Sequence, residues 1–138
     1  LARSLELENV VFGESPYEEM ARLYSLARAS IAVLKDMEVA KQMRLSKIFP
    51  SLSCGVPVLY SGLGEAAEVL SDNACGMALL PERPDLLAEA VLRLADDEAY
   101  AKELGENGRR LVEEHYSWRA IVESWLAELG VRAVPDVD

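Results

Sequence analysis

Two short stretches of this chain carry residue types suited to an anionic, hydroxyl-rich ligand. In the first, Arg44-Leu-Ser-Lys47 opens directly into a segment, running to about Cys54, whose apolar residues recur at helical spacing around Pro50. A helix amino terminus exposes unpaired backbone N–H groups and a partial positive charge, so Arg44 and Lys47 beside it make a cradle for a diphosphate. The same residues also fit a plainer arrangement in which Ser46 caps the helix and both cations are solvated. In the second stretch, Ser61-Gly-Leu-Gly-Glu65 sets Gly62 and Gly64 where a strand gives way to a helix, allowing positive φ and close approach of a ligand to backbone. It lacks the full G-x-G-x-x-G spacing. A tight strand–helix turn, with Glu65 and Glu68 favourable in the first helical turn, accounts for it equally.

Elsewhere the reactive side chains point to structure. His115, the one histidine, closes a charged helical segment, where it favours the helix carboxyl terminus. Cys54 precedes Gly55 among apolar residues and reads as a small buried hydrophobe. Trp118 and Trp125 share one helical face, the pattern of core or interface packing. No nucleophile–base pair is evident, so the catalytic residue is left unassigned, and Cys54 and Cys75 lack the spacing of a metal site.

The elements that must position the two loops follow from periodicity. Asn9-Val-Val-Phe-Gly13 reads as a strand, and Ser15-Pro-Tyr-Glu18 as a capping box opening a helix from Pro16 to about Arg28, with Met20, Leu23, Tyr24 and Ala27 on one face. Ser30-Ile-Ala-Val-Leu34 is nearly all apolar, as in a strand buried on both faces of a parallel sheet. After a loop over 35–42, the helix around Pro50 leads to a strand at Pro57–Tyr60 and a short helix near Glu65–Leu70. A further strand at Gly76–Leu80 precedes a helix opened by Pro84, with Leu87, Ala90, Val91 and Leu94 on one face. A charged helix over Glu98–His115 then leads to one capped by Ser117, whose apolar face from Trp118 to Leu129 must be covered. Strands alternating with helices imply right-handed crossovers and a parallel sheet, an α/β fold that is half of a doubly wound architecture with an all-helical carboxyl-terminal segment. In such sheets ligands sit outside the carboxyl ends of the strands, which here means the loops at 35–46 and 61–65.

Composition narrows the function classes. The chain has 138 residues, 51% of them apolar, enough for one domain with a single core. Twenty-four acidic against fourteen basic residues give a net charge of −10 without a segregated basic run, which argues against nucleic acid as a partner. No apolar run reaches the length of a membrane span, and the paucity of cysteine fits a reducing cytoplasm. The chain opens on Leu1 and soon enters a strand-like run, so it reads as a piece of something longer, with residues 131–138 as a tail. The apolar face of the last helix leads us to expect self-association.

Read together, Glu18-Glu-Met-Ala-Arg-Leu-Tyr24, Cys54-Gly-Val-Pro-Val58, Gly64-Glu-Ala-Ala-Glu-Val69, Gly76-Met-Ala-Leu-Leu-Pro81 and His115-Tyr-Ser-Trp118 resemble, in order and spacing, the carboxyl-terminal domain of the family 4 (group 1) retaining glycosyltransferases. The resemblance runs from about Asn9 to Leu129. It implies a GT-B architecture, two Rossmann-like domains facing across a cleft, of which residues 1–130 are the donor-binding half. The first strands of this domain, and the amino-terminal acceptor domain, would lie before Leu1. The implied activity is sugar transfer from a UDP- or GDP-linked donor, without a metal or further cofactor, in the cytoplasm or at the cytoplasmic face of the membrane through the missing domain. One branch of the family, acting in surface-polysaccharide assembly, enters its helix through Pro-Ser-Lys, and Leu45-Ser-Lys47 is a variant of that entry. The resemblance puts Arg44, Ser46 and Lys47 near phosphate or sugar, Gly62 and Gly64 at close backbone approach, and Glu65 and Glu68 near donor hydroxyls. Two departures stand against it. The family's paired glutamates fall here on Gln42, which can still bond a sugar hydroxyl, and on Pro50, which has no carboxylate for ribose. A degenerate GT-B domain with a structural or interaction role is therefore the alternative.

Overall fold

The computed structural model describes residues 6–43 and 46–131. Its sheet has three parallel strands in the order β1-β2-β3: Ser30–Val33, Val58–Ser61 and Gly76–Leu79. All four residues of β2 are buried, which requires cover on both faces. On one face Val58 and Tyr60 pack with Ile48 and Leu52 of α3 (Ile48–Ser53), with Ala66 and Leu70 of α4 (Glu65–Asp72), and with Cys75. On the other, Leu59 meets Ala90 and Leu94 of α5 (Pro84–Asp96), and Ala101 and Leu104 of α6 (Glu98–Leu111). These are the two helical layers and the parallel crossovers expected from the sequence.

The carboxyl-terminal layer departs from a single straight helix. After Leu111 the chain widens into a π-helical turn, Val112–Tyr116, which carries the Tyr116 ring onto Phe49 of α3 with centroids 4.3 Å apart. Ser117 then caps α7 (Trp118–Glu128), its Oγ accepting from the Ala120 N–H at 3.1 Å, as its sequence position predicts.

Four expectations need correction. The segment at 9–13 is not a strand: it pairs with no neighbour among the described residues, and Val11 and Phe12 are 91% and 79% exposed. β-propensity there is not matched by a ladder, and a strand has no stability without one. The helix expected over Pro16–Arg28 is a 3₁₀ turn, Tyr17–Glu19, followed by α1, Met20–Leu26, and no side chain caps the entry. Only part of its apolar stripe is covered, Met20 and Tyr24 half-buried while Leu23 and Ala27 are exposed. β1 is an edge strand among the described residues, with Ile31 and Val33 open on the α5 face, because β2 is its one described neighbour. The last helix is likewise uncovered: Trp118, Trp125 and Leu129 remain largely exposed. Beyond Val131 the expected tail lies outside the described residues.

A buried polar link ties β1 to α3. Ser30 Oγ donates to Ser51 Oγ at 2.7 Å, and Ser51 Oγ donates to the Val56 carbonyl at 3.0 Å, so both hydroxyls are satisfied where the helix meets the sheet. Leu52, wholly buried beside this link, is the side chain on which the α3 layer rests. Leu52→Ala should lower unfolding free energy in urea by about 2–5 kcal/mol, whereas Val11→Ala should change it by less than about 0.5 kcal/mol. A cost at Val11 comparable to that at Leu52 would show that the 9–13 segment is packed after all.

Candidate functional site

Parallel register brings the carboxyl ends of all three strands to one edge, with Val33 opposite Ser61 and Ser61 opposite Leu79. The loops leaving β1 and β2 therefore start side by side, and one contact closes them together. Gly64, at φ +89°, lies against the backbone of Lys41, and a Cβ there would collide with the Lys41 carbonyl. The Gly64 carbonyl in turn accepts from Ala67 N–H at 2.9 Å and Glu68 N–H at 3.2 Å, starting α4. Gly62 is constrained differently: its N–H donates to the Leu79 carbonyl at 3.1 Å, and a Cβ would strike the Tyr60 ring. Tyr60 is buried and donates its hydroxyl to the Leu63 carbonyl at 3.2 Å, and that burial raises its pKa above the usual phenol value. Both glycines thus have a packing reason within the chain itself.

The β1 loop contains a helix that periodicity did not reveal. α2, Glu38–Lys41, sits where irregular chain was expected, with Ala40 buried beneath it and Lys41 Nζ 2.5 Å from Glu38 Oε1. That pairing raises the Lys41 pKa, first through the hydrogen bond and then through the charge of Glu38. Gln42 is the exposed residue that ends α2. Arg44 lies outside the described residues, and Ser46 and Lys47 are exposed in the turn that follows.

Ser46 is not the helix cap. Lys47 occupies that position with no side-chain capping bond, and Ser46 contributes its carbonyl, which accepts from Phe49 N–H at 3.3 Å. Pro50 sits in the first turn of α3, where a missing N–H is tolerated because that donor would be unpaired anyway. The cradle expected here is consequently thinner than the sequence suggests: Phe49 N–H is already engaged, Pro50 has none, and the helix is short. Positive charge at this entry comes from the Lys47 side chain more than from the backbone.

Glu65 and Glu68 both lie exposed in the first turn of α4. Two carboxylates stabilise the positive end of that helix and repel phosphate from it, while remaining good acceptors for hydroxyl groups. The carboxyl edge therefore divides into a cationic side at Lys47 and an anionic side at Glu65 and Glu68. Beside them, on the α5 face, a cavity of about 530 Å³ reaches from Val33–Lys35 past Ser61 to Glu82, Arg83 and Leu87. The sequence reading overlooked it because it is assembled from the ends of three elements. A smaller cavity of about 290 Å³ lies at the opposite edge, between Leu26–Arg28 and the start of α6, away from both loops.

Cys75 offers no chemistry to either cavity: burial pushes its thiol up to about 11, which suppresses the thiolate. Among the described residues no three His, Cys, Asp or Glu side chains are grouped as metal ligands. The closure of the two loops rests on Gly64. Gly64→Ala should destabilise the chain by about 1–3 kcal/mol and move the amide resonances of 38–43, across the contact. A variant with native stability and unmoved 38–43 amides would mean that the loops are held together by something else.

Comparison with known proteins agrees with this architecture. A sequence model of the family described as glycosyl transferase-like matches residues 3–127. An MMP alpha-(1->4)-mannosyltransferase from Mycolicibacterium hassiacum is 29% identical over 111 residues, a stretch covering 80% of this chain and 26% of that protein. Sucrose synthase 1 from Zea mays is 26% identical over 88 residues, 61% of this chain and 11% of that one. Among solved structures, sucrose-phosphate synthase from Thermosynechococcus elongatus superposes with a TM-score of 0.70 at 24% identity, covering 93% of this chain and 32% of that one. A mutant of S. aureus TarM, in complex with Fondaparinux, alpha-GlcNAc-glycerol and UDP, superposes at 0.71 with 18% identity, covering 91% and 25%. The chain thus spans about a third or less of each of these proteins. With its parallel sheet, two helical layers and matched motifs, it belongs to the glycosyl transferase-like family and has the fold of a GT-B carboxyl-terminal domain.

Proposed function

We propose that residues 1–130 are the donor-binding domain of a retaining glycosyltransferase that moves a sugar from a UDP- or GDP-linked donor to an acceptor, in the synthesis of surface polysaccharide or another glycoconjugate. The observation that carries this reading is the closure of the two loops through Gly64 and Lys41, which sets cationic and anionic groups on one sheet edge. Lys47, with Arg44 and Ser46, would meet the diphosphate. Gln42, Glu65 and Glu68 would accept sugar hydroxyls, and Gly62 and Gly64 would let the ligand approach backbone. The work assigned to these groups is positioning and stabilisation of charge on the departing diphosphate, and no side chain is assigned as nucleophile. Neither metal nor further cofactor enters the proposal. The acceptor would be held by an amino-terminal GT-B domain outside this chain. We place the reaction in the cytoplasm, consistent with two unpaired cysteines, and at the membrane face where the remainder of the protein reaches it.

The alternative, a GT-B domain that has lost donor binding, is favoured by one specific feature. Pro50 removes both the family carboxylate and a donor from the α3 entry, where Phe49 N–H is already engaged. A protein-observed NMR titration with UDP, GDP and their sugar conjugates separates the two. Donor binding should shift the amides of Gln42, Met43, Ser46 and Lys47 and those over 62–68, and Lys47→Ala should weaken it about tenfold, the cost of one charge-assisted hydrogen bond. Silence at millimolar concentrations of every ligand would favour the degenerate domain.

The uncovered face of α7 and the apolar groove of about 430 Å³ between β1 and α5 carry our proposal of self-association. Sedimentation should show dimers or larger species as concentration rises. Monomer alone at the highest soluble concentration would refute it.

A further inference from the structure

Tyr60 reaches from the core to the turn that closes the two loops. Its ring is buried among Ile48, Leu52, Val58, Ala66 and Leu70, where a phenylalanine would fill the same space. A hydroxyl set among such side chains costs free energy unless it is bonded. The Tyr60 hydroxyl donates to the Leu63 carbonyl at 3.2 Å, and no described backbone N–H donates to that carbonyl. The bare backbone of Gly62 leaves room for the hydroxyl end of the ring, since a Cβ there would strike Tyr60 Cζ and its oxygen.

Leu63 lies between two anchors. Gly62 is tied to β3 through its N–H and the Leu79 carbonyl, and Gly64 begins α4 by accepting from Ala67 and Glu68. The Leu63 carbonyl shares one peptide plane with the Gly64 N–H, and the orientation of that plane enters directly into the φ of Gly64. At +89° this φ sets the Gly64 backbone against Lys41, the last residue of α2 in the other loop. A rotated Leu63–Gly64 peptide would open that contact, and the Tyr60 hydroxyl is the group that resists the rotation.

We propose that Tyr60 is a positioning residue, whose hydroxyl holds the Leu63–Gly64 peptide in the orientation that keeps the two loops closed for ligand binding. In this role it acts through the turn and not on the ligand. The proposal rests on the donor-binding reading above and adds to it a side chain of the core that sets the geometry of the second loop.

The test compares the whole 138-residue chain with Tyr60→Phe, which keeps the ring and removes the hydroxyl. Amide resonances of 62–65 and, across the Gly64 contact, of 38–43 should shift, while those of α5 and α6 stay in place. Affinity for UDP- and GDP-linked sugars, followed through the same resonances, should fall about fivefold, the loss of one neutral hydrogen bond. Leu94→Ala, a core truncation in the opposite layer, is the control for stability: it should lower the urea midpoint further than Tyr60→Phe and leave both the 62–65 amides and the affinity unchanged. Unmoved 62–65 amides in Tyr60→Phe, native affinity despite moved amides, or an equal loss of affinity in Leu94→Ala would overturn the proposal and leave the donor reading standing. No binding of any nucleotide sugar by the unsubstituted chain would overturn both.

Discussion

The burial of β2 on both faces is the constraint from which the rest of the structure follows. Val58 and Tyr60 face one helical layer and Leu59 the other, so a four-residue strand sets the spacing of α3 and α4 against α5 and α6. Because β1 and β3 pair with it in parallel, its carboxyl end is also where every loop leaving the sheet begins. The same strand ends in the turn whose glycines fit against the Tyr60 ring and the Lys41 backbone. Core packing and the geometry of this edge are therefore one problem here: a change in how Tyr60 packs would move Gly62, and with it the loop that follows β2.

The electrostatics of that edge are set by side chains more than by helix ends. α3 is short, and its amino terminus has lost one donor to Pro50 and another to the Ser46 carbonyl. α4 retains a full first turn but places Glu65 and Glu68 on it, which answers the helix dipole from within the chain. Such an edge is poorly suited to holding a diphosphate by backbone alone. The proposed function therefore assigns phosphate to the Lys47 side chain and hydroxyl groups to Glu65 and Glu68, rather than to helix ends.

Much of this was legible in the sequence, for physical reasons that differ by element. α5 announced itself through Pro84 at its first turn and an apolar stripe whose Ala90 and Leu94 are indeed buried, and α7 through Ser117. β2 was readable as a short apolar run because both its faces are covered. The same logic failed at Ser30–Leu34, where an equally apolar run is an edge strand: periodicity reports what a segment could bury, not whether a neighbour is there to bury it. The Asn9–Gly13 segment failed for the same reason. Of the site, the meeting of the two loops was legible from strand order, but its agent, the Gly64–Lys41 contact, is a tertiary approach with no local signal. α2 is a single turn, too short to establish a period. The cavity at Glu82 has no contiguous motif at all.

The uncovered surfaces share a pattern. Val11 and Phe12, Ile31 and Val33, and Trp118, Trp125 and Leu129 lie on three different segments, each with the composition of a buried face. Along β1 the N–H groups of Ser30 and Leu34 donate to β2, so by alternation those of Ile31 and Val33 point to the free edge, and an unpaired edge of β-branched residues readily accepts another strand. The net charge of −10 opposes association between copies, but at physiological ionic strength that repulsion decays over about 8 Å. Apolar contact acts at shorter range and is not screened. The proposed self-association therefore rests on the distribution of apolar groups, Trp118 and Trp125 among them, rather than on the total charge.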